Sequence, residues 1–182
     1  MSASSLYRKN APTFYLLSLC LTATPLVWSQ STNLGAHVHG EAELLIAIEG
    51  QNIEMHLLSP AANVLGFEHA PATGEQREQL HRVEALLSDA DSLFDFGDTN
   101  CVPRSHDLEL PFAEEHETEE EHEAHSEVSA RYVLECDESP VEISAELLNQ
   151  FPLIEVLEVQ WITDTTQGAQ DLRVDQAKIE LN

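Results

Sequence analysis

Residues 36–60 read AHVHGEAELLIAIEGQNIEMHLLSP, and the alternation in this stretch decides the fold. From 36 to 48, Val38, Ala42, Leu44, Ile46 and Ile48 take one face. His37, His39, Glu41 and Glu43 take the other. Apolar residues at every second position mark a half-buried strand, because successive side chains on a strand point to opposite faces. Glu49-Gly50-Gln51-Asn52 reads as a turn. Ile53, Met55 and Leu57 then resume the apolar face, so the stretch predicts a β-hairpin that ends at Ser59-Pro60.

Working outward, Thr73-Gly74-Glu75-Gln76 has the form of a capping box, with Thr73 as N-cap and Gln76 at the third helical position. Leu80, Val83 and Leu87 follow at helical spacing, which predicts a helix over 74–88. Residues 101–112 predict one or two short strands, broken by Pro103 and ended by Pro111. Residues 128–136 alternate again, with Val128, Ala130, Tyr132, Leu134 and Cys136 on one side. A short helix is expected over 145–150, capped by Ser144. A strand is expected over 155–163, and Lys178 to Leu181 is expected to close the sheet. The sum is an α+β fold: a mostly antiparallel sheet, one main helix and a disordered His/Glu-rich loop.

That loop is residues 113–127, AEEHETEEEHEAHSE. Eight of its fifteen residues are glutamate and three are histidine: His116, His122 and His125. Such a segment has too little apolar surface to fold alone. Its imidazoles and carboxylates suit divalent metals, and a solubilising acidic loop has the same composition. The N-terminus reads as a signal peptide over 1–29, with Arg8 and Lys9 before the apolar run 14–21 and a cut before Gln30. The bulky Leu19 argues against lipidation at Cys20. Residues 30–182 then form a single exported domain, with no later segment apolar enough to cross a membrane. Its two cysteines, Cys101 and Cys136, read as a disulfide in an oxidising compartment, with two thiolate ligands as the alternative.

Net charge is −25. Of eight Lys and Arg, two lie in the signal segment, leaving six against thirty-three acids. Nucleic acid and anionic membrane are excluded as partners, since both need basic surface. The negative field instead concentrates cations.

His37-Val38-His39 is the sharpest local motif. On a strand the two imidazoles would project from Cα atoms about 6.6 Å apart and could converge on one ion. Glu41 on the same face could be a third ligand or orient a ring. The other reading is two polar residues on a wet face. Gly66-Phe67-Glu68-His69-Ala70-Pro71 is a tight irregular segment. His69 either completes the site or satisfies backbone groups in its turn, and Glu68 ranks below it. His56, His81 and His106 read as surface residues. Enzymatic activity finds no support: Asp-His does not follow the HxH pair, and no phosphate loop or nucleophile elbow occurs. Met55 is the only methionine after the signal, so copper(I) is disfavoured and zinc fits best.

In AHVHGEAEL (36–44), SPAANVLGFEHAP (59–71), Cys101, the His-rich insert, RYVLEC (131–136) and FPLIEVLEVQWIT (151–163), the chain resembles the ZrgA-type periplasmic zinc-uptake proteins of Gram-negative bacteria. The resemblance implies a periplasmic Zn²⁺-binding accessory to an inner-membrane ABC zinc importer or its binding protein, with His37, His39 and His69 as ligands. The insert departs from the family, in which histidine dominates that segment. Two other classes stay open: a metal buffer or chaperone without a transporter, and an interaction module with incidental histidines. A homodimer that builds its site from two chains is open as well.

Overall fold

The computed structural model describes residues 38–112 and 126–181, all within one compact unit, Gly35–Asn182. The expected signal segment, His37, and His116, His122 and His125 of the insert lie outside the described residues.

The alternating stretch forms β1 (Glu41–Glu49) and β2 (Asn52–Pro60), antiparallel, with Glu49 facing Asn52. The loop between them has two residues. Gly50 takes its first position at φ 58°, the left-handed conformation that such hairpin loops ask of glycine. Ala42, Leu44, Ile46, Ile48, Ile53, Met55 and Leu57 are all buried, as the period-two pattern requires. α1 (Ala61–Leu65) follows at once and ends at Gly66. α2 (Gly74–Leu87) begins at the expected capping box: Thr73 accepts from Gln76 N–H at 3.2 Å and the Gln76 side chain returns to the Thr73 N–H. It buries Leu80, Val83 and Leu87. α3 (Ala90–Leu93) leads to β3 (Cys101–Glu109), which pairs antiparallel with β4 (Glu127–Cys136). β5 (Glu142–Ser144), α4 (Leu147–Gln150), β6 (Val156–Ile162), β7 (Gln167–Leu172) and β8 (Lys178–Glu180) complete the described chain.

The main sheet has six strands in the order β3-β4-β2-β1-β6-β7. All neighbours run antiparallel except β1 and β6, so the sheet is mixed. One face joins the buried residues of the helices in a single hydrophobic core. Tyr132 marks this junction: its hydroxyl donates to Leu87 O at 2.8 Å, and its ring meets Phe94 edge-on. The other face carries Glu43, Leu45, Glu158 and Gln160 and is open.

Several expectations are corrected. The first strand starts at Glu41, because the chain turns at 38–40. Residues 101–109 form one strand with a bulge between Pro103 and Ser105, where proline has no N–H for the ladder. Ser144 belongs to β5 and bridges Asp95, so it does not cap α4, whose own first position has no side-chain cap. β8 pairs with β5 in a separate two-stranded sheet. The main sheet is completed by β7, whose sequence QGAQDL buries only Leu172 and shows no apolar alternation.

Candidate metal centre

Asn63 is the buried polar residue that shapes this end of the molecule. It sits on α1, and both ends of its amide are used. Oδ1 accepts from Gly40 N–H at 2.8 Å, and Nδ2 donates to Glu41 O at 2.7 Å and to Ser59 Oγ at 3.4 Å. Gly40 O accepts in turn from the N–H groups of Glu155 and Val156, at 2.8 and 2.9 Å. Glu41 N–H donates to Val38 O at 3.1 Å, which closes a β-turn over Val38–Glu41. Gly40 stands at φ 90° within it, where a Cβ would be strained. The turn that carries His39 is therefore held from α1 and from β6 at once.

Past α1, Gly66 adopts φ 83° and the chain swings into Phe67-Glu68-His69. Phe67 packs against the core and anchors the segment. Glu68 reaches back across 29 residues, and its Oε1 lies 3.0 Å from His39 Nε2. His69 stacks on Phe67 with ring centroids 5.4 Å apart, and its Nδ1 lies 2.9 Å from Ala70 O. A carbonyl oxygen only accepts, so Nδ1 carries the proton, and the neutral ring keeps a lone pair on Nε2.

The HxH segment and the GFEH segment thus meet, and they meet through Glu68. Glu41 is exposed at the start of β1, and its backbone carbonyl is what Asn63 holds. Because Gly40 breaks the extended geometry, the period-two face of β1 does not run back to His39. Among the described residues no group of three His, Cys, Asp or Glu is gathered as a metal-holding set. Sequence reasoning ranked Glu68 below His69 and did not single out Asn63. The only local sign of Asn63 is one polar residue inside the apolar run AANVL.

The ends of the insert lie close to this site. Glu43 faces Leu58, Pro60 faces Glu127 and Glu109 faces Ser129, so the start of β1, the end of β2, the start of β4 and the end of β3 share one end of the sheet. Ser126 O accepts from Ala61 N–H at 2.6 Å, which ties the return of the insert to α1. β4 and β1 are two strand spacings apart, about 10 Å. Ser126 and Glu127, expected in the insert, belong to the ordered return and β4. Cys101 and Cys136 face each other at the opposite end and form the expected disulfide.

His56 differs from its reading as a surface residue. It is half-buried on the open face, in a concavity of 790 Å³ that also includes Leu45, Arg131 and Gln160, and its Nε2 lies 3.0 Å from Ser129 Oγ. Burial, and then the Arg131 guanidinium, lowers its pKa below the ordinary histidine value, against weaker upward pulls from Glu127 and Glu109. His106 lies within β3 and is exposed. His81 pairs loosely with Glu84 at 3.6 Å on the exposed side of α2.

The description "ZrgA family zinc uptake protein" matches residues 36–181. The chain belongs to the ZrgA family. The match starts one residue before His37 and takes in the His39 turn, the Glu68-His69 segment, the insert and the disulfide, so the ZrgA region covers every candidate site residue. None of the curated proteins compared with the chain matches it. ZrgA is a zinc-uptake family and not a family of enzymes. No described helix is long and apolar enough to cross a membrane.

Proposed function

We propose that this ZrgA chain is a periplasmic zinc-capture protein that supplies an inner-membrane ABC zinc importer. The signal segment 1–29 exports it and is removed, and residues 30–182 form one metal-binding domain. His37, His39 and His69 bind a single Zn²⁺, with Glu41 or water in the fourth position. The residues of the insert, with His116, His122 and His125 among glutamates, act as a weaker collector with several donors, and their negative charge raises the local cation concentration. The observation that carries the reading is the contact between His39 and Glu68 at the sheet end where the insert leaves and returns. Zinc is cargo here, so the donors need to hold it firmly and still release it. Histidine and carboxylate in a solvent-facing site suit that better than a closed thiolate cage.

Calorimetric titration of zinc into metal-free residues 30–182 tests this. The wild type is expected to show one tight step and a weaker phase. The His37→Ala/His39→Ala variant should lose the tight step, and deletion of 113–125, which removes all three insert histidines and spares the ordered return at Ser126, should lose the weak phase alone. Equal, weak binding by wild type and double variant would refute the fixed site. Capture of the solubilised importer by the zinc-loaded protein tests the partner, and failure of purified components to associate would leave a buffer as the function.

A further inference from the structure

The geometry points to Glu68 as a positioning residue that turns the His39 ring so that Nδ1, and not Nε2, binds the zinc ion. This deepens the proposed function and rests on His39 being a ligand. Glu68 Oε1 lies 3.0 Å from His39 Nε2. An ionised carboxylate has no proton to give, so the shared proton is on Nε2. A neutral imidazole carries one N–H, which leaves the lone pair on Nδ1. A carboxylate that accepts a hydrogen bond from the remaining ring N–H of a metal-bound histidine fixes the ring's orientation and strengthens its other nitrogen as a ligand.

Two features make the contact more than a surface encounter. The His39 side chain is 67% exposed and would otherwise rotate freely, so the hydrogen bond decides where its free nitrogen points. Both partners also stand on braced backbone. The His39 turn is clamped by Asn63, and Glu68 follows Phe67, which is packed on the core. His69 offers the opposite arrangement, since its Nδ1–H donates to Ala70 O and the lone pair is left on Nε2. The two rings therefore present different nitrogens, a distinction that the residue types alone do not make.

The test is ¹⁵N spectroscopy of the histidine rings in residues 30–182, without zinc and with one equivalent, on wild type, Glu68→Ala and Glu68→Gln, with calorimetry on each. In wild type, zinc should shift His39 Nδ1 to the coordinated range while Nε2 stays protonated. Glu68→Ala should weaken the tight step about tenfold to a hundredfold, the usual effect of losing such a partner. Glu68→Gln keeps an acceptor oxygen and should stay nearer wild type. Coordination through His39 Nε2 would overturn the inference and leave zinc capture intact. Glutamine falling as far as alanine would make Glu68 itself a ligand and would also overturn it. Zinc that leaves His39 unshifted would remove the proposed fixed site together with the inference.

Discussion

Gly40 and His56 show how far single residues bend the pattern around them. Gly40, at φ 90°, ends the extended run just before β1, so His39 leaves the sheet and meets Glu68. His56 keeps its strand position, with Leu45 opposite as the hairpin register predicts, yet becomes half-buried through its contact with Ser129. Its lowered pKa has a consequence with a definite sign. The folded chain protonates His56 less readily than the unfolded chain, in which it titrates at its ordinary value of 6.5. Its contribution is complete above that value and is lost as pH falls through the folded pKa. Urea unfolding at a series of pH values below 6.5 should therefore show a shallower loss of stability in His56→Gln than in wild type. Parallel curves would mean that the histidine is as solvated as a surface residue. Burial is the largest cause of the effect, Arg131 adds to it, and Glu127 and Glu109 oppose it.

At the scale of elements, the hairpin, the capped helix α2 and the strand β6 were legible because their signals are local. Alternation and capping use neighbours two to four residues apart. α1 was not legible: it has only five residues, too few for a 3.6-residue period, and its key residue is polar. β7 was hidden by being an edge strand whose side chains mostly face solvent. It is held by pairing with β6 and by Trp161, whose ring lies so close against Gly168 that a Cβ there would force the ring to shift. α1 matters most for function because it braces the His39 turn. Asn63→Ala would leave the buried Gly40 N–H unpaired, at a cost of about 1–3 kcal/mol. It should also weaken the tight zinc step in protein that remains folded. Chemical denaturation and calorimetry on the same variant check both parts. A second variant of equal stability loss, such as Val83→Ala in the core, should bind zinc as wild type does. If it weakens zinc equally, the Asn63 effect is general instability and not loss of the brace.

For the whole molecule, the sheet separates two duties to its opposite ends. The Cys101–Cys136 disulfide closes one end, and the His39 turn, the Glu68 segment and the ends of the insert occupy the other. A crosslink between residues 35 apart constrains the unfolded chain and stabilises by about 3–4 kcal/mol on the chain-entropy model. The Cys101→Ser/Cys136→Ser variant should lose about that much in urea unfolding and keep the tight zinc step, since the site lies at the far end. Loss of zinc binding in folded variant would show that the two ends are coupled. The amino-acid order by itself determined the strand pattern, the helix cap, the cysteine pair, the acidic charge and the family. All of these depend on composition or on spacings of a few residues. The tertiary structure alone decided that Glu68 stands beside His39, that Asn63 braces the turn, that β8 leaves the main sheet and that the insert is anchored beside the candidate site. Those contacts join residues 22 (Glu41 and Asn63) to 67 (Pro60 and Glu127) positions apart. They follow from how the sheet packs against its helices and from the register of its strands, which no local period encodes.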